Sequence, residues 1–281
     1  MEKEFLYQTK KIFYRVIGDG KPVVLIHGFG EDGNIWGPIL TSSQGGGNNN
    51  SLLKSKFKFI IPDLPGSGLS EIIDDMSMEG MAEVIKKILD IECSDIPPQR
   101  GYRGACIIGH SMGGYITLTL AEKYWNHVSA FGLFHSTAYP DSEEKKVIRR
   151  KGIEFIRQHG AFEFLKTTTP NLFSPQTRDE KPELIGEFID GLNNFSAEAL
   201  VSYYEAMMAR PGRVTVLQKA IVPVLFIMGE HDNAIPFQDS LRQCQLPEKS
   251  YIHILRKSGH MGMLEEKNKC SKALDKFLRE I

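Results

Sequence analysis

Apolar residues along this chain fall into two alternating patterns. Short unbroken runs such as PVVLIHG, FKFIIPD, CIIGHS and VPVLFIMG mark strands covered on both faces, because a half-exposed strand would alternate instead. These β-rich runs lie at 11–16, 23–27, 57–62, 105–108, 128–134, 222–228 and 251–255. Between several of them the spacing turns helical: Met81, Val84, Ile85, Ile88 and Leu89 form one stripe, and Cys270, Leu274, Phe277, Leu278 and Ile281 another. Strand–helix alternation predicts an α/β fold with a doubly wound, mostly parallel sheet.

Two stretches break the rhythm. TSSQGGGNNNS (41–51) has too little apolar surface to pack and reads as a flexible surface loop. Residues 136–212 hold no convincing strand but several helical stripes. Asp141 and Glu144 are spaced as a capping box ahead of a helix that Gly160 can close. Leu184, Ile185, Phe188, Ile189 and Leu192 make one further stripe; Leu200, Val201, Tyr204, Met207 and Met208 make another. We expect a helical cap over 136–212, inserted into a core made of 1–135 and 213–281.

Composition narrows the partners. The 281 residues carry a formal net charge of −1, so no basic field favours nucleic acid or an anionic membrane. No run approaches the ~20 apolar residues of a membrane span, and the first residues lack a signal-peptide core, so stable membrane insertion is not expected. The four cysteines are scattered without metal-like pairing, and a reducing cytoplasm is the simplest compartment. Oligomeric state is not legible.

The chemistry concentrates at CIIGHSMGGY. A strand-to-helix corner forces its apical residue into a strained backbone; Gly109 and Gly113 remove side chains that would collide, and Gly114 lets the helix start close to the sheet. The corner lifts the Ser111 hydroxyl above the carboxyl ends of the strands. A serine hydroxyl needs a base and an orienting carboxylate to act as a nucleophile. FIMGEHDNAIP places Asp232 just beyond a strand, and YIHILRKSGHMG places His260 just past the next. Glu230 and Asp141 are rival acids. VVLIHGFG runs a strand into a loop where the Phe29 N–H can face a developing oxyanion beside that of Met112. His27 reads as a residue that shapes this loop, and DLPGSGLS (63–70) as a packing loop without chemistry.

HGFG at 27–30, DLPGSGLS at 63–70, GHSMGG at 109–114, GEHD at 229–232 and GH at 259–260 together resemble the α/β-hydrolase fold family, in family order. The resemblance implies an eight-stranded sheet with an inserted cap. It implies Ser111 as nucleophile, His260 as base, Asp232 as orienting acid, and Phe29 and Met112 as backbone oxyanion donors. It implies a serine carboxylesterase acting on a small or medium-sized ester, with no metal or organic cofactor. Cap residues Phe162, Phe164, Phe173, Tyr203, Tyr204, Met207 and Met208 are candidates for an apolar acyl pocket, against ordinary packing within the cap. A monoacylglycerol lipase or lysophospholipase, a cofactor-free haloperoxidase (perhydrolase), and a slow hydrolase serving as a ligand sensor remain alternatives.

Overall fold

A computed structural model describes residues 1–41, 56–93 and 104–281. Apart from Thr41, the low-complexity tract lies outside the described residues. The strands are β1 (Glu2–Tyr7), β2 (Lys10–Ile17), β3 (Lys21–Ile26), β4 (Phe57–Pro62), β5 (Ala105–His110), β6 (Val128–Phe134), β7 (Val224–Gly229) and β8 (Ser250–Leu255). They form one eight-stranded sheet in the order β1-β2-β4-β3-β5-β6-β7-β8. β1 and β2 pair antiparallel, as do β2 and β4. From β4 to β8 every pairing is parallel.

The hydrophobicity reading missed β1. Its residues alternate between exposed and half-buried along EKEFLY, so it never shows the unbroken apolar run of the central strands. β3, β5 and β7 are buried almost throughout, as strands covered on both faces must be.

Each face of the sheet carries its own apolar layer. On one face, α1 (Met78–Glu92) buries Met81, Val84, Ile85, Ile88 and Leu89, the stripe read from sequence. It starts at Ser77, whose Oγ accepts the Gly80 N–H at 3.0 Å. The same layer holds α2 (Met112–Lys123), which carries Ile116, Leu118 and Leu120 into it. The other face is covered by α7 (Lys267–Glu280), through Cys270, Leu274, Phe277 and Leu278.

Between β6 and β7 the chain is helical: α3 (Glu143–His159), α4 (Ala161–Thr168), α5 (Pro182–Asp190) and α6 (Ala197–Ala209) are its main elements. Two expectations need correction here. The cap of α3 is Ser142, whose Oγ accepts the Lys145 N–H, and not Asp141, so the Asp141–Glu144 box does not form. Asp141 is instead buried in an ion pair with Arg149 and Arg210. Gly160, at φ 88°, closes α3 as its spacing suggests. In α6 the buried face centres on Leu200, Tyr203 and Met207, one position off the predicted stripe. The Tyr203 hydroxyl explains the shift: it donates to Pro65 O at 2.6 Å and lies 2.8 Å from Ser67 Oγ, pinning α6 to the 63–70 loop.

Candidate active site

Ser111 stands between β5 and α2 at φ 49°, ψ −115°, a sparsely populated conformation for a residue with a side chain. Its neighbours make the corner possible. A Cβ on Gly109 would lie 2.1 Å from Gly113 O, one on Gly113 2.4 Å from Ile26 O, and one on Gly114 2.2 Å from Ser136 Oγ. The corner is held from outside too: Ser111 N donates to Phe134 O at 2.9 Å, and Ser136 Oγ donates to Ser111 O at 2.7 Å.

His260 and Asp232 follow β8 and β7. His260 Nδ1 donates to Asp232 Oδ2 at 2.9 Å and lies 3.0 Å from Oδ1. The carboxylate also accepts the Ala234 and Ile235 N–H groups at 2.8 Å each, so the turn after β7 aims it. Burial alone would raise the pKa of Asp232, but His260, together with His135, brings it far below the ordinary carboxylate range. Of the rival acids, Glu230 is exposed and Asp141 is engaged by its arginines. The structure brings Asp232 to His260.

Phe29 follows β3, and Met112 is the first residue of α2; among the described residues neither N–H has a partner. Gly28 sits against the serine, since a Cβ there would lie 3.1 Å from Ser111 Cβ. His27 shapes this loop as expected: Nδ1 donates to Gly28 O and Nε2 accepts the Leu64 N–H, both at 2.9 Å, leaving neither ring nitrogen free. Asp63 fastens the neighbouring loop through Arg15, Gly33 N–H and Leu69 N–H.

Two further histidines and a glutamate complete the cluster, and none was singled out from sequence. His110 is fully buried. Its Nδ1 meets Glu31 Oε2 at 2.9 Å and its Nε2 meets His260 O at 3.0 Å. Both partners only accept, so both ring nitrogens carry protons and His110 is an imidazolium. Its pKa agrees: burial would lower it, yet the Glu31 charge and hydrogen bond raise it. Burial would raise Glu31, but His110 and the Gly28 N–H bring it below its ordinary value. Glu31 Oε2 takes that Gly28 N–H at 2.7 Å, so one carboxylate joins the loop bearing Phe29 to the ring beneath His260.

His135 follows β6 at φ 47° and donates Nδ1–H to Asp232 Oδ2 at 3.1 Å. Burial lowers its pKa. It is therefore neutral, and its buried Nε2 has no partner among the described residues. The signal for it was available in FGLFHS: a histidine at the carboxyl end of a central strand reaches the same sheet edge as Ser111. His135, Asp232 and His260 bring ligand atoms within 4.8 Å of one another, a spacing that suits a metal ion. As placed, each imidazole uses Nδ1–H on the carboxylate, and a cation there would displace both bonds.

The expected pocket residues separate. Tyr204 stacks on Phe29 with ring centroids 4.4 Å apart and planes 7° apart, and Phe164 meets both rings edge-on. Tyr203 also reaches the Phe29 ring, at 6.3 Å. Met207 is buried within the same apolar layer, and Phe162 and Met208 are half-buried. Phe173 is fully buried and packs edge-on against Phe188, in the opposite layer. Its backbone neighbour Leu172 is nearer the site, accepting the His260 N–H at 2.6 Å.

Comparison with known proteins bears on this arrangement. The sequence profile described as "Alpha/beta hydrolase family" matches residues 23–269. The chain is 26% identical over 275 residues to the pimeloyl-[acyl-carrier protein] methyl ester esterase of Xanthomonas axonopodis pv. citri (strain 306), covering 95% of this chain and 98% of that one. Among solved structures it resembles a thermophilic esterase from Thermogutta terrifontis (TM-score 0.84, 24% identity, 100% of this chain and 98% of that one). It also resembles a bromoperoxidase from Bacillus anthracis (TM-score 0.79, 18% identity, 96% of both chains).

Proposed function

The chain belongs to the alpha/beta hydrolase family, and on that footing we propose that it is a carboxylic ester hydrolase working through an acyl-enzyme. The observation that carries the reading is the Asp232–His260 pair, 2.9 Å apart, at the same sheet edge as a serine held at positive φ.

Ser111 Oγ attacks the acyl carbonyl while its proton passes to His260 Nε2. The carbonyl electrons move onto oxygen, where the Phe29 and Met112 N–H groups meet the charge; donors of this kind lower the barrier by about 2.7–4 kcal/mol each. The imidazolium then protonates the departing alkoxide and leaves the acyl group on Ser111. Water repeats the sequence, giving its proton to His260, and the acid departs. Asp232 keeps Nδ1 protonated and Nε2 basic throughout. The Ser111 hydroxyl makes no hydrogen bond among the described residues, and its bond to His260 forms when substrate arrives.

In this reading, residues 136–212 form a cap over a core of 1–135 and 213–281, and Tyr204 and Phe164 supply an apolar wall beside Phe29. That wall suits a small or medium-sized acyl or alkyl group. No helix among the described residues is long and apolar enough to cross a membrane.

Labelling with a fluorophosphonate, followed by turnover of p-nitrophenyl esters of increasing acyl length, tests the reading. Ser111→Ala removes the attacking oxygen and should abolish both signals without loss of fold. Labelling of that variant at the wild-type rate would overturn the assignment. The acyl-length profile separates a short-chain esterase from a monoacylglycerol lipase, and peroxide-dependent bromination separates a perhydrolase.

A further inference from the structure

We propose that His135 is a positioning residue of this site: it shares Asp232 with His260, takes up part of the carboxylate's charge, and so sets how readily the base holds a proton. The inference rests on the catalytic roles proposed above.

The geometry is specific. His135 follows β6, between the strands that present Ser111 and Asp232. Its backbone N–H donates to Ile227 O at 2.8 Å, which fixes it against β7, and its φ of 47° turns the ring inward. Positive φ is unfavourable for a residue with a side chain, and a buried Nε2 without a partner is unfavourable again. What this placement achieves is one contact, Nδ1–H to Asp232 Oδ2.

Burial first, and then the two neighbouring imidazoles, keep His135 a neutral donor against the pull of Asp232 toward the charged form. His260 lies 5.7 Å away between ring centroids, from the loop after β8. His110, an imidazolium paired with Glu31, lies 6.0 Å away at the end of β5. Asp232, after β7, is its only anionic contact among the described residues. A proton on His135 would face His110 at close range in a buried setting, so His135 stays uncharged while His260 cycles.

A carboxylate that accepts a second imidazole N–H has less charge to offer the first. Asp232 already takes two backbone N–H groups as well, so its attraction for the His260 imidazolium is tempered. Without His135, that attraction concentrates on His260, which then keeps its proton to higher pH and serves as base over a narrower range.

The test is the pH dependence of Ser111 labelling by a fluorophosphonate, across roughly pH 5 to 9. The wild type is compared with His135→Asn, His135→Leu and Gly262→Ala. Asparagine tolerates positive φ and places an amide N–H where Nδ1 stands, so its acid limb should stay with the wild type. Leucine offers no donor. A Cβ on Gly262 would lie 2.4 Å from Leu255 Cδ1 and 2.5 Å from His135 Nε2, so Gly262→Ala crowds the ring against Asp232 without changing its chemistry. Both should move the acid limb upward by about half to one pH unit. If His135→Leu fails to fold, Gly262→Ala carries the comparison. Limbs that coincide with the wild type, with only a uniform loss of rate, would reduce His135 to a packing residue and overturn the proposal. A wild-type protein that is not labelled overturns the hydrolase reading and this inference together; a labelled one with unmoved limbs overturns this inference alone.

Discussion

Two buried carboxylate–imidazole pairs lie side by side at the carboxyl edge of this sheet, Glu31 with His110 and Asp232 with His260. Their contacts are alike, 2.9 Å from Nδ1 to a carboxylate oxygen. They differ at the second ring nitrogen. His110 Nε2 is tied to His260 O, so the ring can neither give up nor accept a proton without breaking a buried bond. His260 Nε2 has no such tie among the described residues. One pair is a fixed pair of charges that holds two loops together; the other is free to cycle. The carboxylate sets the orientation of an imidazole, and the partner opposite decides whether the ring can do chemistry.

The contrast is broken most severely at Asp232. Asp232→Asn removes the negative charge and puts an NH2, which cannot accept, in place of one of the two oxygens that the imidazoles share, so His260 loses its counter-charge and the contact that fixes its tautomer. We expect kcat on a p-nitrophenyl ester to fall by about 10⁴, with the far-ultraviolet spectrum unchanged. A loss under tenfold would show that the pair does not govern the base.

The corresponding change at Glu31 should act first on stability. Glu31→Gln leaves the His110 imidazolium buried without an anion, which costs about 3–5 kcal/mol in urea unfolding. A cost below about 1 kcal/mol would mean that the two groups are not a pair of charges.

A smaller and more diagnostic effect lies in pH. Glu31 is depressed below its ordinary 4.5, so its contribution is present above that value and is lost as pH falls through the depressed one. His110 is raised above its ordinary 6.5, so its contribution is complete below that value and is lost as pH rises through the raised one. The stability difference between wild type and Glu31→Gln should therefore be greatest between pH 4.5 and 6.5 and shrink on the alkaline side. A difference that is flat from mildly acid to alkaline pH would show that His110 does not titrate with the fold.

The same contrast separates what sequence reveals from what it hides. Ser111 is legible because its constraints are local: three glycines within six residues, a strand before and a helix after. Asp232 and His260 are legible because each follows a recognisable strand in a fixed chain order. Glu31 and His110 are separated by 79 residues and His135 and Asp232 by 97, so no local pattern reports that either pair meets. Asp141 illustrates the converse. Its spacing suits a helix cap, yet long-range pairing with Arg210 outweighs the local preference and the cap passes to Ser142. The central strands stand out by unbroken hydrophobicity, whereas β1 is an edge strand whose alternating residues resemble a polar segment.

The stacking of Phe29 on Tyr204 has a consequence for biosynthesis. Phe29, the residue proposed as an oxyanion donor, is made early, but the ring that packs against it is translated only after most of the chain. The groups proposed to handle the proton, Asp232 and His260, come later still. A site with such high contact order cannot be assembled by the leading part of a nascent polypeptide. On the reading proposed above, the chain stays catalytically silent until the strands that carry these groups join the sheet.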